Sequence, residues 1–181
     1  PWPIPDVTGL GSERVPLRVD PEGFQPYVRD EETLARPWAI PGTPGLEHRI
    51  GGLEKETLTG NVCYDPENHP LMTMVRKDKV DRIARRIPPL ETEGAAEGEL
   101  LLVGWGGTYG AIVTAVDRAN ARGKSVGAVH LRYLNPLPPD LGEVIKRYRR
   151  ILVPELNTGQ LRLLLRARYL VDARGVNKIQ G

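Results

Sequence analysis

Residues 100–120 read LLLVGWGGTYGAIVTAVDRAN. Leu100, Leu101, Leu102 and Val103 make an apolar run of strand length that stops at Gly104, Gly106, Gly107 and Gly110. Ala111, Ile112, Ala115, Val116 and Ala119 then recur at helical spacing. The stretch is a strand, a tight turn and a helix, the opening half of a βαβ unit. In many α/β proteins such a turn holds a phosphate, because unpaired N–H groups face outward at the helix N-terminus.

The pattern continues downstream. The expected helix covers 108–121, and a strand follows over 125–131. Asn135, Pro136, Leu137, Pro138 and Pro139 make a rigid turn. A helix is expected over 140–148, a strand over 150–153, a turn at Asn157 and a leucine-rich helix over 158–170. Alternating strands and helices with short links define an α/β fold, a largely parallel open sheet with helices on both faces. Upstream, residues 91–99 (ETEGAAEGE) are acidic and small, and read as an exposed loop.

The first 45 residues contain nine prolines, each of which removes a backbone donor. They read as an extended segment with one short helix over 31–35, capped by Asp30 and ended by Pro37. Trp2, Phe24, Tyr27, Trp38 and Ile40 make it too apolar for a free linker, so it is expected to pack on a neighbouring domain. A short strand is expected over 46–50. In DPENHP two helix starts compete, Asp65 with Pro66 at the first position, or Asn68 with Pro70 inside the first turn. The second avoids a proline deeper in the helix and is preferred. That helix runs to about Ile87, with Met72, Val75, Val80 and Ile83 on one face, and Pro88 and Pro89 end it. Its basic residues are diluted by Asp78 and Asp81 and read as a solvated or subunit-facing surface. The expected organisation is a proline-rich segment over 1–45, a strand and basic helix over 46–89, and an α/β domain over 98–181.

Composition excludes several functions. The 181 residues carry a net charge of +2 and a mean hydropathy of −0.35, which implies neither a nucleic-acid partner nor a membrane. No run of eighteen apolar residues and no signal-peptide pattern occurs. One cysteine, Cys63, forms no intramolecular disulfide and no multi-cysteine metal site, which fits a reducing, cytoplasmic compartment. The PWPIPD start and the VNKIQG end read as interruptions of a longer polypeptide.

The candidate site residues are Gly106, Gly107 and Thr108, which can contact an anion or coenzyme A at the helix N-terminus. The spacing G-x-G-x-x-x-G departs from the dinucleotide fingerprint, and no carboxylate ends the second strand to take the ribose hydroxyls. The glycines are therefore read first as permitting a sharp turn and close helix–strand approach. His130 reads as a hydrogen-bonded structural histidine. Glu155 follows a strand, where α/β folds place ligand contacts, but reads better as packing against the turn at Asn157. His48, His69, His130 and Cys63 lack metal-ligand spacing, and no catalytic motif is present.

Several stretches match a known family. PWPIPD, YVRDEETLARPWAIPGTPGLEHRIGGLEK, TGNVCYDPENH, GWGGTYGAI, HLRYLNPLPPDLGEV, LVPELNTGQL and LLLRARYLVDARGVNKIQG resemble, in colinear order, the C-terminal part of the α subunits of the 2-oxoglutarate (2-oxoacid):ferredoxin oxidoreductases. The last module resembles the transketolase C-terminal domain. The resemblance implies an enzyme that oxidatively decarboxylates a 2-oxoacid, with coenzyme A taking the acyl group and ferredoxin the electrons. It further implies a β subunit as partner, and thiamine diphosphate, Mg and an iron–sulfur cluster in the complete enzyme but no cofactor in this stretch. The family's Y-P-I-T-P and Q-R-x-G-P-S-T-G motifs are absent, so no catalytic residue carries over. The role implied is structural and assembly-related; the alternative is an independent nucleotide- or coenzyme A-binding module using the turn at 104–110.

Overall fold

The computed structural model describes residues 6–9 and 17–179. Pro1, Trp2, Pro3, Pro5 and Pro16 of the expected extended segment lie outside the described residues, as do the last two residues of the VNKIQG end. The chain divides into two compact units after Lys79.

In the first unit, regular structure is sparse. Strands β1 (Leu17–Arg18) and β2 (Trp38–Ala39) pair in parallel over two residues each. Turns take up much of the rest. Residues 31–35 form a single turn rather than the expected helix: Leu34 N donates to Asp30 O, and Asp30 N to Ala35 O. Asp30 Oδ1 still accepts from Thr33 N, as a cap does, but Leu34 turns to φ +57° and ends the helix at once. Residues 46–50 form no strand. Leu46 is buried but carries the register alone, and His48 Nδ1 bonds back to the Leu46 carbonyl.

Helix α1 (Asn68–Asp81) begins at Asn68, and a 3-10 turn (Arg82–Arg86) with Ile87 as its cap leads into the two prolines. Asn68 is inside the helix, not its cap. Its side chain is buried and donates to the Lys55 carbonyl, while Asp65 Oδ1 takes the Glu67 N–H in the turn before.

The second unit holds a five-stranded sheet in the order β3-β5-β4-β6-β7. Its strands are β3 (Glu93–Gly94), β4 (Gly98–Trp105), β5 (Val126–Leu131), β6 (Tyr148–Glu155) and β7 (Ala173–Asn177). All pairs are parallel except β3 with β5. Helices α2 (Tyr109–Asn120), α3 (Leu141–Lys146) and α4 (Gln160–Tyr169) connect them. Alternate residues of β4 face opposite sides. Leu101 and Val103 join Leu141, Val144, Leu161 and Leu165 of α3 and α4, whereas Leu100 and Leu102 join Ile112 and Val116 of α2. Helices therefore cover both faces, as right-handed crossovers in opposite directions require, and this explains why β4 reads as an unbroken apolar run. Leu101, Leu141 and Leu165 are fully buried, each contributing roughly 1.5–3 kcal/mol of hydrophobic stabilisation.

Three boundaries differ from the sequence reading. The acidic stretch 91–99 is not all loop, because Glu93 and Gly94 add an antiparallel edge to β5. Gly94 has φ +78°, and a Cβ there would meet Val126 O at 2.7 Å. Helix α3 stops at Lys146. Tyr148 starts β6 instead, its hydroxyl donating to Ala95 O at 2.5 Å. Strand β7, ARGVN, was not expected at all, having no apolar alternation.

Candidate functional site

The turn after β4 is a 3-10 turn, Gly106–Thr108. Gly106 has φ +60°, which favours glycine. Gly104 serves a different need: a Cβ there would collide with Ile112 Cδ1 and sit 3.0 Å from Thr108 Oγ1, so α2 packs against bare backbone. Gly107 and Gly110 face open space. The Thr108 hydroxyl is engaged within the turn, donating to Trp105 O at 2.8 Å and accepting from Trp105 N at 3.2 Å. Of the three sequence-derived site residues, Gly106 and Gly107 are thus exposed backbone, and Thr108 is the clasp that shapes them.

The sheet order locates the crevice where folds of this type place ligands. The chain leaves β4 toward β5 and leaves β6 toward β7, so the switch point lies between the carboxyl ends of β4 and β6. Side chains bridge it. Trp105 Nε1, at the end of β4, donates to Glu155 Oε1, at the end of β6, at 3.2 Å. Glu155 is 2% exposed and also accepts from Leu161 N at 2.9 Å and Arg162 N at 3.2 Å. Its two oxygens thus cap the first turn of α4, at the positive end of the helix. Asn157 does the local turn work through its Oδ1, which accepts from Gly159 N and Gln160 N. Glu155 therefore serves the helix rather than packing on the Asn157 turn. Its signal in sequence was a carboxylate a few residues before a leucine-rich helix.

Beside the switch point, a cleft of about 520 Å³ opens over β5, lined by Leu90, Glu91, Glu93, Tyr109, His130 and Arg132 among others. Tyr109 and His130 meet edge to face, with centroids 5.2 Å apart. The Tyr109 hydroxyl donates to Glu93 Oε1 at 2.8 Å, a bond that raises its pKa. His130 Nδ1 is buried without a hydrogen-bond partner among the described residues, while a backbone hydrogen bond at Gly106 still holds the ring. Burial, and then the nearby Arg132 charge, lower its pKa, while the Gly106 carbonyl pulls the other way. The sequence did not show this cleft, because its walls come from three separated stretches.

Cofactor chemistry can be tested against the donors present. An iron–sulfur cluster needs about four thiolates, and the sequence has one cysteine. Among the described residues no group of three His, Cys, Asp or Glu can hold a metal ion. A single thiol does not fit a cluster. Among the described residues no helix is long and apolar enough to cross a membrane.

Residues 98–177 match the family model of pyruvate:ferredoxin oxidoreductase core domain II. The whole chain is 52% identical over 182 residues to 2-oxoglutarate oxidoreductase subunit KorA of Mycobacterium tuberculosis, spanning 28% of that protein. It is 30% identical to 2-oxoacid:ferredoxin oxidoreductase 1, subunit alpha, of Aeropyrum pernix, over 86% of this chain and 25% of that protein. A solved structure of 2-oxoglutarate:ferredoxin oxidoreductase from Magnetococcus marinus, with 2-oxoglutarate, coenzyme A and succinyl-CoA bound, superposes with a TM-score of 0.77 at 29% identity. It covers 94% of this chain, and the chain covers 28% of it. The fold, the colinear match and the domain model together define a core-domain region of the 2-oxoacid:ferredoxin oxidoreductases, and the chain belongs to that family. Within the family its full length is homologous to part of the 2-oxoglutarate oxidoreductase α subunit.

Proposed function

We propose that the chain is the bracing and assembly portion of an α subunit whose complete enzyme oxidatively decarboxylates a 2-oxoacid, 2-oxoglutarate in the first instance. Coenzyme A accepts the acyl group and ferredoxin the electrons. Thiamine diphosphate, Mg and the iron–sulfur cluster belong to the rest of that enzyme, as do the catalytic residues. The β subunit is the direct partner, ferredoxin and coenzyme A are reached through the whole complex, and the location is cytoplasmic. The proline-rich segment, the strand-and-helix stretch and the transketolase C-terminal-like domain are the parts of the brace. The observation that carries this reading is the 52% identity along the entire chain to one such subunit. The switch-point crevice filled by Trp105 and Glu155 supports it, since a sheet stapled there is suited to holding shape.

The test compares the chain alone with the complete α/β complex in 2-oxoglutarate-dependent reduction of ferredoxin. Turnover is expected in the complex and none in the chain, which is also expected to bind no thiamine diphosphate. Turnover by the chain alone would refute the reading. A second reading makes Gly106, Gly107 and Thr108 a contact for coenzyme A or another anion, favoured by the open space before Gly106 and Gly107. Calorimetry with coenzyme A, NADP and FAD decides it, with saturable binding expected to vanish in Gly106→Val.

A further inference from the structure

The first unit contains a pocket of about 260 Å³ whose lining includes Arg29, Arg36, Lys55, Arg76 and Lys79, with Glu54 its one carboxylate. Five cations against one anion is an unbalanced wall, and the imbalance is built in. Arg29 Nη1 donates to Thr57 O at 2.8 Å and Thr57 Oγ1 at 3.2 Å, and its Nη2 points at Met72 Sδ, 3.4 Å away. A thioether is a weak acceptor for a charged donor. The Arg36 guanidinium stacks over the Tyr27 ring, 4.1 Å from its centroid. Lys55 is 4% exposed and donates to the Gly51 and Leu53 carbonyls. These hydrogen-bond partners are neutral and orient the cations, and the carboxylate that acts on Arg29 is the more distant Glu56. Glu54 does compensate, but it faces both Arg76 and His69. Lys79 has no carboxylate partner among the described residues.

We infer that this pocket is a binding site for a phosphoryl group, gripped by Arg36, Lys79 and Arg76 above the floor made by Arg29 and Lys55. Two arguments select the class. A phosphoryl group brings about −1.5 to −2 charge at neutral pH and three acceptor oxygens, which fits guanidinium forks better than one carboxylate does. The volume lies just under the roughly 300–1,000 Å³ of pockets that enclose whole drug-sized ligands, so the pocket suits the anionic head of a molecule or a free anion. Desolvation and then the neighbouring Arg36 charge lower the pKa of Arg29, with Arg76 adding to the same effect against the opposing pull of Tyr27 and Glu56. The inference stands independently of the catalytic reading of the complete enzyme.

The experiment is calorimetry on the complete natural protein with pyrophosphate, inorganic phosphate, coenzyme A and acetate as probes. Saturable binding of pyrophosphate is expected, weakened about tenfold or more by Arg36→Gln, the scale of losing a hydrogen bond to a charged group. Arg36→Lys is expected to keep part of the affinity. Lys79→Gln, at an exposed position, is expected to weaken binding without altering the fold, and Glu54→Gln to tighten it, an effect that misfolding does not mimic. If coenzyme A binds much more tightly than pyrophosphate, the phosphoryl group arrives on a nucleotide; comparable affinities indicate a free anion. Absence of saturable binding, affinities unmoved by Arg36→Gln and Lys79→Gln, or acetate binding as well as pyrophosphate would each overturn the inference. None of these readouts depends on turnover.

Discussion

The two units are held together by different physics. Among the described residues before Lys79, the buried apolar side chains are Pro26, Leu46 and Met72, beside a buried lysine and a buried asparagine. The ties of that unit run from long polar side chains to carbonyls: Lys55 to Gly51 and Leu53, Asn68 to Lys55, Arg29 to Thr57. The second unit has continuous parallel ladders and apolar clusters on both faces of β4. A ladder with buried faces tolerates the loss of a surface contact, whereas a meander pinned by a few polar side chains depends on each pin. Regular structure follows apolar periodicity; without it, individual donors decide the path.

The comparison can be broken most forcefully in the core. Leu101→Ala in β4 should lower the stability of the second unit by about 2–5 kcal/mol, the range for truncating a fully buried leucine. Trp38→Ala in the first unit should change stability by less than about 0.5 kcal/mol, since that indole is 66% exposed. Hydrogen exchange resolves the two effects, because it reports each cooperative region separately. Equal losses would contradict the contrast.

Polar pins come next. Lys55→Met keeps the volume but strips the donor from two carbonyls, and should cost about 1–3 kcal/mol in the first unit. Glu155→Gln should cost about 2 kcal/mol, because its amide presents a donor to one of the N–H groups that the carboxylate accepts. The loss should centre on the first turn of α4 in exchange measurements. A Lys55→Met protein as stable as the parent would mean that the first unit does not depend on that pin.

Smaller still is the effect of two leucines in the left-handed region. Leu170 caps α4 at φ +53° and is 90% exposed, while Leu34 sits at φ +57° in the first unit and is partly buried. Leu170→Gly should stabilise by about 0.5–1 kcal/mol through relief of backbone strain. Leu34→Gly should gain less, because it also loses apolar contact. Thermal melts of the two variants check the ranking.

The last prediction concerns acid. Hydrogen bonds from Arg76, and then His69, hold the Glu54 carboxyl down to about 2 from its ordinary 4.5. A depressed carboxylate contributes its stability fully above about 4.5, and loses it as pH falls toward 2. Stability measured against pH for the parent and Glu54→Gln should therefore differ near neutrality and converge at about pH 2. Curves that stay parallel down to that pH would remove Glu54 from the account.

The same contrast governs what was legible in the sequence. Strands β4, β5 and β6 and helices α2 and α4 stand in the order their periodicity implies, and the α/β class follows from them. The short strands β1, β2 and β3, and β7, carry no alternation; β3 and β7 exist because an edge of the larger sheet was available, and β1 and β2 because they pair with each other. The expected helix at 31–35 and strand at 46–50 failed where too few apolar positions reinforced a local signal. At the candidate site, the glycine turn was visible as a motif. The cleft over β5 and the cationic pocket were not, because each gathers residues from stretches tens of positions apart. Glu155 was visible as a residue, but its task as the cap of α4 depends on where Leu161 and Arg162 return.

The bond from Trp105 to Glu155 has a consequence of its own. It works like a keystone: the arms of an arch spring away from it in opposite directions, and the space beneath is occupied by the stone. Other proteins of this architecture leave that space open for a cargo. Shrinking the indole here would exchange a bridged span for a niche already framed by two strand ends and a helix N-terminus, so one side chain separates a closed switch point from an open one in this sheet.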